Sequence, residues 1–305
     1  MSKIIVGVDG SDTSRDAIAL ASGLAGLTGS TLVLANVFPY DTSPSRTLNR
    51  QFEEFLREDA NAVLERLRAT VDDGLTVDTS TVPNPSPAHG LHALAEREEA
   101  GLIVVGSTHT GRIGRVLPGS TAERLLHGSP CPVAVAPKGY ADRPGREPRA
   151  IGCGYDGSQA SEYALSVARR LAEANGVQLR LIRAFQPIAY DIPPGSAAMG
   201  GAGSYNDVLR ERAAENLDAA LERLDGDVDA HFEVGDPAKI LAETSEGLDL
   251  LLMGSRGYGP LHSVVVGGVA GRVAREAACP VIVFPRSATK TEADSVFAGV
   301  ASMSS

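Results

Sequence analysis

Ile4-Ile5-Val6-Gly7-Val8-Asp9-Gly10-Ser11, near the start of the chain, returns at its middle as Ile151-Gly152-Cys153-Gly154-Tyr155-Asp156-Gly157-Ser158. A second pair follows in the same order. Ser129-Pro130-Cys131-Pro132-Val133-Ala134-Val135-Ala136-Pro137 is answered by Ala278-Cys279-Pro280-Val281-Ile282-Val283-Phe284-Pro285. Asp9 and Asp156 stand 147 positions apart, Cys131 and Cys279 148. Blocks that keep their order and drift by one residue mark a duplicated domain, expected to pair about a pseudo-two-fold axis within one chain. Each feature of one half therefore has a twin against which it can be weighed.

Outward from these blocks, short apolar runs alternate with helical stretches. Strands are expected at 3–8, 31–37, 76–82, 102–106 and 133–136, and again at 150–155, 178–185, 229–233, 248–254 and 281–284. Between those of the first half, 14–28, 47–70, 88–99 and 121–127 carry apolar residues at helical spacing, as with Leu64, Leu67 and Val71. The strands read as nearly continuous apolar runs, the mark of a parallel sheet covered on both faces. Strand–helix alternation of this kind predicts an α/β fold: two tandem doubly wound domains, flavodoxin- or Rossmann-like, each with a five-stranded parallel sheet. The expected boundaries are 1–138 and 150–286. The polar, proline-broken stretch 139–149 reads as a linker and 287–305 as a flexible tail. The glycine- and proline-rich stretch 193–203 reads as a mobile loop. The last strands, 133–136 and 281–284, are apolar sheet edges whose unpaired backbone invites each to pair with the other. A second chain could add a homodimer to this intramolecular pair.

Composition narrows the partners. The 305 residues hold 28 basic and 38 acidic side chains, a net charge of −10, which repels phosphate backbones and anionic membranes. No apolar run reaches the roughly 18 residues of a membrane span, and Asp9 and Asp12 interrupt the apolar N-terminus, so neither a membrane segment nor a signal peptide is expected. The expected setting is cytoplasmic. Cys131, Cys153 and Cys279 form no C-x-x-C pattern and read as small buried hydrophobes.

In open α/β sheets, ligands bind beyond the carboxyl ends of the strands, where the strand order switches. Asp9-Gly10-Ser11 and Asp156-Gly157-Ser158 follow the first strand of each half. Gly106-Ser107-Thr108-His109-Thr110-Gly111 and Gly254-Ser255-Arg256-Gly257-Tyr258-Gly259 follow the fourth. Gly119-Ser120-Thr121 and Gly267-Gly268-Val269 open the next helix. Glycines let backbone N–H groups turn toward an anion, and a helix N-terminus adds its dipole and its orphan donors. Asp9 or Asp156 could accept a hydrogen bond from a ribose or an adenine. The same residues also admit a plainer reading. Asp-Gly-Ser after a strand is an ordinary helix start with its cap, and Gly106 and Gly254 could serve only the turn.

The pattern G-x-x-G-x(9)-G-[S/T], after a Leu-Ile-Val-Val-Gly-Ser strand and before a helix ending in Cys-Pro-Val, resembles the universal stress protein family. The likeness spans residues 3–138 and 150–286, and Gly235-Asp236-Pro237-Ala238 adds to it. It implies ATP as ligand, with or without Mg2+, in a family that also holds members without nucleotide. Carried onto this chain, it implies a first site of Asp9, Gly106, Ser107, Gly119 and Ser120, with His109 where the second glycine belongs. It implies a second site of Asp156, Gly254, Ser255, Gly257 and Gly267, with Gly268 in place of the hydroxyl residue. Backbone contacts to adenine fall at Val37 and Ala184. The two sites are expected to be unequal.

Other motifs fail on stated grounds. Gly152-Cys153-Gly154-Tyr155-Asp156-Gly157 fits G-x-G-x-x-G, but its first glycines lie in the strand and its twin has Ile5. The run from Gly106 to Gly111 lacks the lysine and hydroxyl of a P-loop, and no G-x-S-x-G elbow exists. His89 and His92 could share a metal but lack a third ligand at a supporting spacing. No residue stands out as a nucleophile or general base. The expected function is a stress-responsive ATP-binding sensor or regulator with at most slow hydrolysis. The alternatives are a nucleotide-free interaction module of the same fold and a nucleotidyl-cleaving enzyme of the adenine-nucleotide α-hydrolase-like group.

Overall fold

The structure, a computed structural model, describes residues 2–40, 50–107, 120–143, 150–188, 201–224, 228–255, 268–285, 296–297 and 300. The first half runs β1 (Lys3–Gly7), α1 (Asp12–Thr28), β2 (Thr31–Phe38), α2 (Arg50–Arg68), β3 (Val77–Pro83), α3 (Pro87–Arg97), β4 (Leu102–Gly106), α4 (Ser120–Gly128) and β5 (Val133–Ala136). The second repeats it with β6 (Ala150–Gly154), α5 (Gln159–Asn175), β7 (Gln178–Phe185), α6 (Gly201–Leu221), β8 (Val228–Val234), α7 (Pro237–Thr244), β9 (Leu250–Gly254), α8 (Val269–Glu276) and β10 (Val281–Phe284). Helix α6 takes in the last residues of the stretch expected as a loop; 189–200 lie outside the described residues.

The strands form one sheet in the order β3-β2-β1-β4-β5-β10-β9-β6-β7-β8. Neighbours are parallel within each half, and the halves meet antiparallel at β5 and β10, where Ile282 pairs with Ala134. Each edge strand thus covers the other. The side-chain period of two sends Ile4 and Val6 of β1 to one face and Ile5 to the other. Helices α1, α2, α5 and α6 cover the first face and α3, α4, α7 and α8 the second, and each core runs through both halves. The outer strands depart from the expected apolar runs. In β3, Asp78 and Thr79 are exposed, and in β8 Ala230, His231, Glu233 and Val234 are, since each outer strand has a neighbour on one side only.

Local signals set the helix ends. Gly29 and Gly176 close α1 and α5 in the left-handed conformation, with φ 65° and 61°. Ser11 and Ser158 hold the N-cap positions, and the Ser158 hydroxyl accepts from the Ser161 amide. Two long-range ties were not legible beforehand. Buried Asp16 of α1 accepts from the amides of Gly139 and Ala141, both at 2.9 Å, which fixes the start of the linker. Within the stretch expected as a tail, Val296, Phe297 and Val300 are buried, and the Phe297 ring lies 6.4 Å from that of Phe284 in β10. Apolar burial anchors these three residues; the other residues of 286–305 are not described.

Candidate functional site

Strand order reverses between β1 and β4, and between β6 and β9. Helix α1 leaves one side of that gap on the first face and α4 the other side on the second face. A crevice therefore opens beyond the carboxyl ends of β1 and β4, with a twin beyond β6 and β9. Because β5 and β10 are antiparallel, the two crevices open toward opposite ends of the sheet.

The first crevice is walled by the turn after β1. Asp9 Oδ1 accepts from the Ser11 amide at 3.0 Å, from the Ser11 hydroxyl, and from the Ser14 hydroxyl at 2.9 Å. The Ser14 oxygen in turn accepts from the Asp9 amide at 3.0 Å. Gly10 takes φ 85°, a conformation that a side chain disfavours. In the twin turn Gly157 takes φ 79°, and Asp156 Oδ1 accepts from the Ser158 amide at 3.0 Å. The Ser161 hydroxyl there donates to the Ser158 carbonyl rather than to the aspartate. The Ser161 hydroxyl oxygen accepts from the Asp156 amide at 3.3 Å, the twin of the Asp9–Ser14 bond.

The end of β4 closes the other wall. A Cβ on Gly106 would come within 2.3 Å of the Thr13 carbonyl oxygen, so glycine lets β4 cross the first turn of α1. At Gly254 the nearest atom would be the Ala160 Cβ at 3.0 Å. Ser107 is buried, its amide donates to the Ala136 carbonyl, and its hydroxyl has no hydrogen-bond partner among the described residues. The Ser255 amide makes the matching bond to Phe284. Gly268 stands at the N-cap of α8 with open space where a Cβ would be, and Ser120 begins α4. Val37 and Ala184 lie near the ends of β2 and β7, both packed toward the second core, and Val37 abuts Gly90 of α3. His109, Gly119, Gly257 and Gly267 lie outside the described residues.

One further pair of twins belongs to no motif. Asn36 in β2 donates from Nδ2 to the Val8 carbonyl at 3.0 Å, tying the end of β1 to β2. Its twin, at the same offset of 147, is Arg183 in β7, which donates from Nη1 to the Tyr155 carbonyl at 3.3 Å. The repeat offset would have found it. Beside it, Glu162 accepts from the Tyr155 hydroxyl at 2.6 Å and from Arg223 at 2.8 Å. Burial first, then this bond, pushes the Tyr155 phenol up to about 12.

Elsewhere, His89 and His92 stack with centroids 6.4 Å apart and line an open cleft with Ser86 and Arg124. Among the described residues no three metal-ligating side chains converge. Also among them, no helix is long and apolar enough to cross a membrane.

Fold and crevices define a tandem, doubly wound α/β protein with one switch-point crevice in each half. The universal stress protein family matches residues 1–137 and again 148–285, and the chain belongs to that family. A universal stress protein of Mycolicibacterium smegmatis is 33% identical over 290 residues, covering 92% of this chain and 96% of that one. One of Mycobacterium tuberculosis is 28% identical over 294 residues, covering 92% and 99%. The crystal structure of a universal stress protein from Archaeoglobus fulgidus shares the fold with a TM-score of 0.66 at 22% identity, covering 93% of this chain and 98% of that one.

Proposed function

We propose that the chain is an adenine-nucleotide-binding regulator of the stress response, with one crevice in each half taking ATP. The observation that carries this reading is the buried Ser107 hydroxyl, left without a partner among the described residues at the mouth of the first crevice. A buried hydroxyl without a partner costs about 1–3 kcal/mol, and a ligand acceptor there would recover it. In the second crevice, the open N-cap of α8 at Gly268 suits a phosphate, which helix N-termini bind through free amides and dipole. Mg2+ would serve as counter-ion to the phosphates. Among the described residues no nucleophile or general base is placed for hydrolysis, and binding itself is the proposed output. The net charge of −10 argues against nucleic acid or an anionic membrane as partner.

A second reading rests on Asp9 and Gly106. The carboxylate is occupied by its own turn, and the glycine is accounted for by packing on Thr13. Both fit an interaction module that needs no nucleotide. Calorimetric titration of nucleotide-stripped protein with ATP and Mg2+ separates the two. Two sites per chain, or one lost on Gly119→Val or Gly267→Val, support the regulator. No binding, or ATP affinity untouched when both glycines are changed, favours the interaction module.

A further inference from the structure

Helices α3 and α7 are twins, as are α4 and α8, yet the charges they bring together differ. Pro87-Ala88 opens α3 as Pro237-Ala238 opens α7. Arg124 stands seven residues before Cys131, and Arg272 seven before Cys279. In the second half two bases of these helices meet two carboxylates. Asp236 accepts from the Ala238 amide at 3.1 Å and from both terminal nitrogens of Arg272, and Lys239 lies 3.8 Å from Glu243. In the first half the bases stay and the acids are gone: Ser86 stands for Asp236, Ala93 for Glu243 and His89 for Lys239.

Among the described residues Arg124 therefore has a neutral partner, donating from Nη1 to the Ser86 hydroxyl at 3.3 Å. Ser86 makes no side-chain cap bond, so the Ala88 amide lacks the acceptor that Asp236 gives Ala238. His89 forms no hydrogen bond or ion pair among the described residues, and its ring stacks on that of His92. The acids of these two helices are engaged elsewhere, Glu96 with His92 at 3.3 Å and Glu123 with Arg275 at 3.1 Å. Ser86, His89, His92 and Arg124 line an open cleft of about 350 Å³, whose wall Ala88, Leu125 and Gly128 complete. None of these residues belongs to the turn after β1 or to the end of β4, so the cleft is separate from the first crevice.

We infer that the cleft between α3 and α4 is a binding site for a small di- or tricarboxylate, one carboxylate of which takes the place that Asp236 fills in the second half. The twin supplies the template, since one carboxylate there serves a helix start and an arginine together. The Arg124 guanidinium offers its planar fork to a carboxylate, and the first turn of α3 adds its positive end. A ring nitrogen of His89 donates to a second carboxylate, so a polycarboxylate fits better than a monocarboxylate. The volume of the cleft lies in the range of small-molecule sites. The inference stands apart from nucleotide binding, because the cleft uses neither crevice.

The test is calorimetric titration of the full chain with citrate and succinate at matched ionic strength, with acetate and chloride as controls. One site per chain should bind citrate, because Asp236 closes the twin position. Acetate should bind at least about tenfold more weakly, the scale of one charge-assisted hydrogen bond. Arg124→Gln should weaken citrate by at least about tenfold on the same grounds. Ser86→Asp builds in the carboxylate that the twin carries, and should weaken citrate as much while raising the melting temperature. Absence of citrate and succinate binding up to millimolar concentrations overturns the inference. So does binding that Arg124→Gln and Ser86→Asp both leave unchanged. Thermal melts of each variant confirm that lost binding is not lost folding.

Discussion

Gly106 crosses the first turn of α1 so closely that a Cβ would stand 2.3 Å from the Thr13 carbonyl oxygen. The obstacle is backbone and cannot turn aside as a side chain would. Gly106→Ala is therefore expected to cost stability on the scale of overpacking, about 1–3 kcal/mol. Gly254→Ala, which meets the Ala160 Cβ at 3.0 Å, should cost less. Urea denaturation of the two variants gives the comparison. A larger loss for Gly254→Ala would refute the close crossing.

Phe297 is fully buried and packs toward Phe284, whose ring meets Tyr163 edge-on at 5.1 Å. Phe297→Ala removes a buried aromatic ring and should cost about 3–5 kcal/mol. Tyr205, 46% exposed on α6, provides the contrast, and Tyr205→Ala should change stability by no more than about 0.5 kcal/mol. Equal effects would mean that the segment around Phe297 is not docked in solution.

Asp236 caps α7 and accepts two bonds from the Arg272 guanidinium of α8, one at 3.1 Å from Nη1 and one from Nη2. The arginine holds its carboxyl below the ordinary value of 3.8. A depressed carboxylate stabilises the fold above that value, and the contribution disappears as pH falls through the folded pKa. Wild type should therefore melt above Asp236→Asn at pH 6, with the gap narrowing below pH 3.8. A gap that stays constant down to pH 2 would show that Asp236 acts by its cap alone. The twin pair, Ser86 with Arg124 at 3.3 Å, holds no carboxylate, so Ser86→Ala should show no such acid dependence.

Much of the architecture was legible from sequence because it depends on local periodicity and on repetition. The return of Asp9-Gly10-Ser11 at Asp156 announced two copies, and apolar runs separated by helical spacing announced the doubly wound order. Edge pairing of residues 133–136 with 281–284 followed from two apolar strands that would otherwise lie bare, and β5 and β10 do pair. The outer strands β3 (VDTSTVP) and β8 (VDAHFEV) break the apolar pattern, with Asp78, Thr79, His231 and Glu233 exposed at the two edges of the sheet.

The duplication and the layer order can be read along the chain alone. Hydrophobic periodicity and glycine punctuation are properties of neighbouring residues. How those residues are used depends on the folded chain. It set Gly106 against Thr13, engaged Asp9 in its own turn, tied Asp16 to the linker amides, buried Phe297 beside Phe284, and brought Arg183 onto the Tyr155 carbonyl. Most of these contacts join groups far apart in the chain, and that of Asp9 turns on hydroxyl orientation. A pattern read along the backbone reports which face a residue takes, but not which distant carbonyl, ring or carboxylate the folded chain brings against it.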